Sequence, residues 1–332
     1  MENGKRIAVI GSGSWATAIV KILCNNASRI SWYFRRQDDI DYMLQYQHNP
    51  KYLSSVNFNL DKLDLSSDLL ATLKAADIVI LAVPSAFIHH TLKDIGPEVF
   101  KNKVVFSAIK GIVPEYNLIV GEYLNTVYNI PFENIGVITG PCHAEEVALE
   151  KLSYLTLACS NIANADELCR YMACRYIKCS SSDDIFGTEL SAVLKNVIAV
   201  AGGICHGLGY GDNFLSVLVS NAIQEIDRFV AAVHPINRDT KASAYLGDLL
   251  VTAYSQFSRN RMFGSMLGKG YSVQQAQMEM NMVAEGYYAV KCVCEINKKY
   301  QVNMPIVNAV NNIIYYHKDA RREMELLANQ LS

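Results

Sequence analysis

The chain has 332 residues, of which 51% are hydrophobic and 19% are charged, and its formal net charge is −2. This length predicts about two domains, and the apolar content is high enough for substantial cores, which excludes a disordered protein. The nearly balanced charge excludes a protein that binds nucleic acid or an anionic membrane through bulk electrostatics.

Targeting and metal-binding patterns are not found in the sequence either. No apolar run approaches the ~18 to 20 residues that a membrane-spanning helix needs, and residues 1–5 lead into the first predicted strand without a signal peptide. The nine cysteines contain no C-x-x-C pair, and no histidine completes a zinc pattern around Cys169, Cys174 and Cys179. We therefore expect a cytoplasmic enzyme with free thiols, without a metal site, an integral membrane segment or a nucleic acid partner.

The first predicted element is a buried strand over residues 7–10 that ends in a glycine-rich turn and continues as a helix. Gly11 and Gly13 have the spacing of the first two glycines of the dinucleotide fingerprint, and Ala16 takes the third place. In that fingerprint the first glycine permits a tight turn, the second lets the backbone approach a pyrophosphate, and the third position keeps helix and strand close. The pattern predicts a dinucleotide-binding turn, and the alternative is a strand, turn and helix without a ligand.

A second strand, predicted over residues 29–34, ends in Arg35 and Arg36. An acidic residue at this place binds the ribose 2′-hydroxyl in NAD-specific folds, whereas guanidinium groups suit a 2′-phosphate. The two arginines therefore favour NADP over NAD. Asp38 nearby keeps NAD possible, and a pair of solvated surface arginines is the alternative.

Two further predicted strands, over residues 77–84 and 104–107, are apolar and fully buried in character. Ser85 is predicted to cap the helix that follows the first of them, and Lys110 comes just after the second. Ligands of open α/β sheets bind at the carboxyl ends of the strands, so we expect Lys110 to contact substrate or cofactor.

A strand over residues 135–139 leads into Gly140, Cys142 and His143. Gly-Pro makes a turn here, and acidic residues open the next helix, as the helix dipole favours. We interpret Cys142 as part of a binding turn, because adjacent helical residues do not face each other as a nucleophile and its base would. Two short β segments follow, and the alternation of strands and helices to about residue 180 predicts a doubly wound domain.

Helical patterns dominate after the Ser/Asp cluster at residues 180–184, which is the predicted domain boundary. Lys195 lies in the middle of a strongly apolar helix, with few polar residues near it. Burial disfavours the charged form of lysine and so lowers its pKa, which is how a general acid or base is made to work near neutral pH. The alternative is a lysine that extends from the flank of the helix into solvent.

Polar and cationic residues also interrupt the apolar stretches farther along the chain. Asp248 is placed to orient a lysine ammonium, Arg259 to hold a phosphate through two parallel hydrogen bonds, and Asn260 to add a donor. A surface salt bridge is the alternative for each of these residues alone.

Seven stretches, in this order, closely resemble the NAD(P)-dependent glycerol-3-phosphate dehydrogenases of the bacterial type, and the resemblance covers nearly the whole chain. They are GSGSWATA at 11–18, VPSAF at 83–87, SAIKG at 107–111, GPCHAEEV at 140–147, ELSAVLKNVIAVAGGICHGLGYGDN at 189–213, GDLLVTAYSQFSRN at 247–260 and EG at 285–286. The resemblance and the predicted boundary together give an α/β fold: a Rossmann-like doubly wound domain over residues 1–182, followed over residues 183–332 by an all-α domain of the 6-phosphogluconate dehydrogenase type. The resemblance also implies a homodimer that interconverts dihydroxyacetone phosphate and sn-glycerol 3-phosphate for glycerophospholipid synthesis.

The resemblance assigns roles to single residues as well. Lys195 matches the proton donor and acceptor, Lys110 matches the lysine that contacts both substrate and cofactor, and Asp248 is the third catalytic candidate. The implied substrate-binding residues are Lys110, Gly140, Cys142, Lys195, Asp248, Ser258, Arg259 and Asn260. The implied cofactor-binding residues are Gly11, Gly13, Ser14, Trp15, Arg35, Arg36, Lys110, Ala144, Arg259, Val283 and Glu285. Cys142 departs from the usual serine and is a weaker hydrogen-bond donor, whereas Ala16 in place of the third glycine is tolerated.

Two other functions remain open from the sequence. A related dehydrogenase of 3-hydroxy acids or hydroxyacyl-CoA shares the fold and the helix that carries a lysine, but it does not need Lys110, Arg259 and Asn260 together. A dinucleotide sensor without enzymatic activity would bind NADPH and turn over no ketone.

Overall fold

The structure is a computed structural model, and it describes residues 4–280 and 284–332. The chain divides into two compact units. The first comprises Met1–Val83, Phe87–Ile109 and Val120–Ile185, and the second comprises Pro84–Ala86, Lys110–Ile119 and Phe186–Ser332. Two short segments from the N-terminal half, which contain Ser85 and Lys110, thus belong to the second unit.

Within the described residues, the strands are short and apolar. They are β1 (Ile7–Ile10), β2 (Ile30–Tyr33), β3 (Leu63–Ser66), β4 (Ile78–Leu81), β5 (Val104–Ser107), β6 (Ile112–Val113), β7 (Leu118–Ile119), β8 (Ile135–Thr139), β9 (Ser153–Cys159) and β10 (Ile177–Ser182).

The α-helices of the same residues connect these strands and then make up most of the second unit. They are α1 (Ser14–Leu23), α2 (Gln37–Tyr46), α3 (Leu69–Ala75), α4 (Ser85–Leu92), α5 (Val120–Tyr128), α6 (Ala144–Ala148), α7 (Ile162–Met172), α8 (Ile185–Gly207), α9 (Asp212–Val233), α10 (Asp248–Tyr254), α11 (Arg259–Gly268), α12 (Val273–Glu279), α13 (Glu285–Tyr300), α14 (Pro305–Tyr315) and α15 (Ala320–Ala328). Short 3-10 turns lie at Leu60–Lys62, Pro97–Phe100 and Phe132–Asn134, and one π-helical turn, Ser243–Gly247, precedes α10.

Eight strands of the first unit form one sheet in the order β10-β9-β8-β5-β4-β1-β2-β3. The strands from β8 to β3 in this order are parallel, and in the centre Ile7 of β1 pairs with Ile30 of β2 on one side and Ile78 of β4 on the other. β9 runs antiparallel to β8, and β10 is parallel to β9. The carboxyl ends of β1, β2, β4, β5 and β8 therefore lie at one edge of the sheet. The predicted doubly wound α/β domain is confirmed.

The middle strands of the sheet lie in the interior of the first unit, because neither of their faces is polar. Every side chain of β1 and β4 is buried, as expected for parallel strands that are covered on both sides. Helix α1 packs apolar residues such as Ile19 and Leu23 into the same core, and Ala16 lies fully buried. The edge strand β3 was not predicted, because its sequence LDLS places polar residues among the apolar ones.

The second unit is mainly helical, which confirms the predicted all-α C-terminal domain. It also contains an antiparallel hairpin of β6 and β7, whose two-residue strands were too short to be predicted. Helices α8 and α11 approach so closely that a Cβ atom at Gly203 would lie 2.1 Å from the carbonyl oxygen of Arg261. A Cβ atom at Gly264 would lie 2.0 Å from the carbonyl oxygen of Val200. Glycine is therefore required on both sides of this contact.

Helix α8 is the one described helix that is long and apolar enough, by length and composition alone, to cross a membrane, which the sequence analysis did not anticipate. Most of this helix is enclosed by the protein, since 89% of its 18-residue apolar stretch is buried. Its composition is therefore that of the core helix of the second unit.

Candidate active site

The turn between β1 and α1 has the geometry that the glycine pattern predicts. Gly11 has a φ of +122°, and a Cβ atom there would lie 2.5 Å from the carbonyl oxygen of Ala82, so only glycine fits. Gly13 precedes α1, and, apart from its two chain neighbours, no described residue lies within 4 Å of the place where its Cβ would be. The open space beside Gly13 and the N–H groups of the first turn of α1 fit the pyrophosphate of a dinucleotide.

Two side chains that the sequence analysis missed hold this turn from neighbouring segments. Trp32 Nε1 of β2 donates to the carbonyl oxygen of Gly11 at 2.7 Å. Asn49 Nδ2 donates to the carbonyl oxygen of Ser12 at 3.0 Å and to Thr17 Oγ1 at 2.9 Å. These contacts join residues 21 to 37 positions apart, for which no local sequence pattern exists.

The other predicted cofactor residues of the first unit follow the same edge of the sheet. Ser14 and Trp15 are the first two residues of α1, and Ser14 is buried. Arg35 and Arg36 are exposed and come directly after β2, which pairs with β1. The two guanidinium groups therefore lie at the carboxyl ends of the strands, on the side of the glycine turn.

The turn after β8 contains Gly140, Cys142 and Ala144. Gly140 has a φ of +112°, and a Cβ atom there would lie 2.7 Å from the carbonyl oxygen of Tyr154, so this position also requires glycine. Cys142 is buried in the core of the first unit, and Ala144 is the first residue of α6. All three belong to the first unit.

Lys195 and Asp248, far apart in the chain, form a buried ion pair in the second unit. Lys195 Nζ of α8 donates hydrogen bonds to Asp248 Oδ1, the first residue of α10, and to Thr252 Oγ1 at 3.0 Å. Lys195 is 5% exposed and Asp248 is 1% exposed. Thr252 was missed by the sequence analysis, although its spacing of four residues from Asp248 places both on one face of α10.

Lys110 contacts the same carboxylate from the second side. Its Nζ lies 3.3 Å from Asp248 Oδ2, and its side chain is 18% exposed. One carboxylate is thus shared by two ammonium groups, and when all three groups are ionised the cluster has a charge of +1. The structure brings together the three residues that the sequence analysis named as catalytic candidates.

This arrangement changes the protonation of both buried partners. Burial lowers the pKa of Lys195 to about 7, a shift that the ammonium of Lys110 reinforces and the carboxylate of Asp248 opposes. Burial acts to raise the pKa of Asp248, but the ammonium groups of Lys110 and Lys195 outweigh it and hold that pKa below its usual value. Lys195 is therefore suited to give up and take back a proton near neutral pH.

A chain of amide hydrogen bonds connects the predicted phosphate-binding residues with Lys110. Asn260 of α11 accepts from the backbone N–H of Gly286 at 2.9 Å and donates to Asn196 Oδ1 at 3.0 Å. Asn196 in turn donates to the carbonyl oxygen of Lys110 at 2.7 Å. Asn196 follows Lys195 on α8, so this chain fixes the backbone of one lysine relative to the helix of the other.

The remaining predicted residues lie at helix starts in the second unit. Ser258 caps the N-terminus of α11, since its Oγ accepts from the backbone N–H of Arg261 at 3.3 Å, and Arg259 is the first residue of that helix. Glu285 is the first residue of α13 and accepts hydrogen bonds from Ser85. Val283 lies outside the described residues.

Known proteins resemble this chain over nearly its whole length. Residues 6–165 match the family model described as the NAD-dependent glycerol-3-phosphate dehydrogenase N-terminus, and residues 184–325 match the model of the C-terminus. The glycerol-3-phosphate dehydrogenase (NAD(P)+) of Bacillus velezensis is 33% identical over 326 residues, which cover 97% of this chain and 94% of that protein. That of Bacillus subtilis is 32% identical over 326 residues, with the same coverage of 97% and 94%. The crystal structure of glycerol-3-phosphate dehydrogenase from Coxiella burnetii matches with a TM-score of 0.90 and 28% identity over 98% of both chains. The chain therefore belongs to the NAD-dependent glycerol-3-phosphate dehydrogenase family.

Proposed function

We propose that this protein reversibly reduces dihydroxyacetone phosphate to sn-glycerol 3-phosphate with a reduced nicotinamide dinucleotide. The observation that carries the proposal is the buried cluster of Lys195, Asp248 and Lys110, which has the groups that reduction of a phosphorylated ketone needs. Membership of the family supports the substrate and the reaction. When bound, the nicotinamide supplies the hydride for the carbonyl carbon C2.

Lys195 is the general acid of the reduction. Its ammonium has three donors, and among the described residues two of them point to Asp248 and Thr252. We place the carbonyl oxygen of the substrate, which becomes negative as hydride arrives at C2, within reach of this ammonium. Proton transfer from Nζ to this oxygen gives the alcohol, and the reverse transfer starts the oxidation.

Lys110 and the start of α11 supply the remaining positive charge and donors. The Lys110 ammonium adds positive potential beside the same carboxylate and so stabilises the developing alkoxide. Arg259 binds the substrate phosphate with two parallel hydrogen bonds, and Asn260 adds a donor from its amide. Holding the phosphate presents the ketone in one orientation. The assignments of Gly140, Cys142 and Ser258 to the substrate rest on the family resemblance.

We propose NADPH as the preferred cofactor, with NADH as a weaker alternative. The support is the pair Arg35 and Arg36 after β2, where guanidinium groups suit a 2′-phosphate. Replacing both by serine is expected to raise the KM for NADPH at least about tenfold and to change that for NADH less than about twofold. Arg170→Ser, which removes an exposed arginine of α7, is the matched control. Equal effects on both cofactors would contradict the preference.

We further propose a cytoplasmic homodimer whose product supplies glycerophospholipid synthesis. These assignments rest on the family resemblance. Light scattering during size-exclusion chromatography measures the mass of the assembly, and a monomeric mass would contradict the dimer. Growth of a strain that lacks the chain, with and without added sn-glycerol 3-phosphate, tests the role in lipid synthesis.

The reaction is tested by following the absorbance of NADPH and NADH with dihydroxyacetone phosphate, and with free dihydroxyacetone as the control. Oxidation that requires the phosphate supports the proposal and the role of Arg259. A folded protein that binds NADPH but oxidises it with neither ketone contradicts the proposal. A panel of 3-oxo acids and 3-oxoacyl-CoA then identifies a related dehydrogenase, and binding without turnover of any ketone identifies a dinucleotide sensor.

A further inference from the structure

The carboxylate of Glu285, at the start of α13, contacts a residue from the N-terminal half of the chain with both of its oxygens. Oε1 accepts a hydrogen bond from the backbone N–H of Ser85 at 3.1 Å, and Oε2 accepts one from Ser85 Oγ at 2.5 Å. Ser85 is fully buried. Hydrogen bonds to a carboxylate are stronger than those between neutral groups, so the two bonds fix residues 84–86 on the N-terminus of α13.

Gly111 packs directly against this pair. A Cβ atom at Gly111 would lie 2.4 Å from Ser85 Oγ and 2.7 Å from Glu285 Oε2. The backbone of residue 111 is therefore in contact with both side chains. Because Gly111 follows Lys110, the pair restrains the backbone immediately beside the lysine that contacts Asp248.

The next residue of α13 is linked to the same backbone through hydrogen bonds. The N–H of Gly286 begins the amide chain that runs through Asn260 and Asn196 and ends at the carbonyl oxygen of Lys110. Glu285 thus packs against Gly111, and Gly286 is linked to the carbonyl oxygen of Lys110, so two consecutive residues of α13 restrain the Lys110–Gly111 backbone. Asn260 lies at the proposed phosphate site, whereas Ser85 is predicted from the sequence only to cap the helix that follows it.

We propose that Ser85 and Glu285 are positioning residues that act through Gly111 to hold Lys110 beside Asp248. The inference rests on the function proposed above, and it gives Glu285 a task in addition to the cofactor contact that the resemblance implies. Lys195 is faced by Asp248 from α10 and by Lys110. Since the Lys110 ammonium lowers the pKa of Lys195, release of Lys110 is expected to raise that pKa.

A double-mutant cycle on Ser85 and Glu285 tests the inference. Ser85→Ala and Glu285→Ala are each expected to lower kcat about tenfold, the lower end for loss of a hydrogen bond to a charged group. The Kd of NADPH is expected to change less than about twofold in Ser85→Ala. The double variant is expected to be no slower than Glu285→Ala, because that change already removes both bonds to Ser85. Ser85→Thr keeps both donors and is expected to retain more of the wild-type kcat than Ser85→Ala, although its extra methyl group enters a buried position. Ser153→Ala, which removes another buried serine hydroxyl, controls for general destabilisation.

The charge of Lys195 gives a second measurement that needs no turnover. Lysine labelled with carbon-13 at Cε reports the titration of Lys195 by NMR, and we expect a higher pKa in Ser85→Ala than in the wild type. An unchanged kcat and an unchanged titration in Ser85→Ala would overturn the inference. Effects on kcat that add in the cycle would also overturn it, because Ser85 and Glu285 would then act independently of each other. A wild-type protein that does not oxidise NADPH contradicts the proposed function, whereas the titration still tests the positioning.

Discussion

Replacement of Asp248 by asparagine removes the charge that keeps Lys195 protonated while preserving the shape of the side chain. In the wild type the carboxylate opposes both burial and the Lys110 ammonium, and the pKa of Lys195 is about 7. In Asp248→Asn only the two lowering effects remain. Lys195 is therefore expected to be neutral at neutral pH and unable to act as the proton donor.

The structure gives the size of this effect. A charge pair at the 3.3 Å between Lys110 Nζ and Asp248 Oδ2 interacts by about 5 kcal/mol at an effective dielectric constant of about 20. Lys195 Nζ lies closer to the carboxylate than Lys110 Nζ does, so Lys195 loses at least as much interaction energy when the charge of Asp248 is removed. This energy corresponds to a fall in pKa of roughly three to four pH units. Loss of the general acid at neutral pH is then expected to lower kcat for the reduction at least ~10²-fold.

The assay is the pH dependence of kcat/KM for dihydroxyacetone phosphate reduction, which reports ionisation in the free enzyme. In the wild type we expect kcat/KM to fall as the pH rises above about 7, where Lys195 loses its proton. In Asp248→Asn this decrease is expected to move to acidic pH. Asp227→Asn makes the same chemical change at an exposed position of α9 and is the matched control. If Asp248→Asn keeps the wild-type rate and pH profile, Asp248 does not set the charge of Lys195.

Three further changes test other parts of the structure. Lys195→Ala is expected to lower kcat at least ~10²-fold with little effect on NADPH binding, and a near-normal kcat would exclude Lys195 as the acid. Gly203→Ala is expected to destabilise the protein by more than about 3 kcal/mol in urea unfolding, since its Cβ would lie 2.1 Å from a backbone carbonyl of α11. The neighbouring Gly202→Ala meets only a flexible Leu215 methyl at 3.2 Å, so comparable losses in the two variants would contradict the role of close packing. Burial raises the pKa of Glu225 from 4.5 to about 7, so the unfolded chain ionises first and stability is lost as the pH rises between these values, by about 3 kcal/mol in total. Glu225→Gln is expected to abolish this loss in urea unfolding at a series of pH values, and an unchanged pH dependence would show that Glu225 is not its source.

The parts of the fold that depend on local patterns were predictable. Unbroken apolar runs identify the central strands, and the strand predicted over residues 104–107 has the observed bounds Val104–Ser107. The change to helical periodicity near residue 184 identifies the second half. The sequence did not indicate that the segment from Lys110 to Ile119 belongs to the second unit, because that membership depends on packing between residues far apart in the chain.

The site shows the same division between local and long-range information. Lys195 was recognisable because a lysine inside an apolar helix is unusual, and Asp248 because it is a charged residue between apolar stretches. Their pairing across 53 positions was predicted only from the affinity of a carboxylate for an ammonium group. The contacts of Thr252 and Asn196 were not predicted. Polar residues of this kind have no periodic signature. Only the fold determines which of them meet.

The choice of groups around Lys110 has an electrostatic reason. One carboxylate and two ammonium groups near the interior are costly, since their mutual attraction offsets only part of the lost hydration. If the side chains that hold the Lys110 backbone were mostly charged, they would change the protonation of Lys195. Amide side chains orient a backbone without adding net charge. Asn196 and Asn260 meet this requirement. Glu285 is the exception, and its carboxylate is bound by Ser85 on one side and is close enough to Arg259 to interact with its charge. These side chains can therefore hold Lys110 in place while Asp248 remains the main negative charge that acts on Lys195.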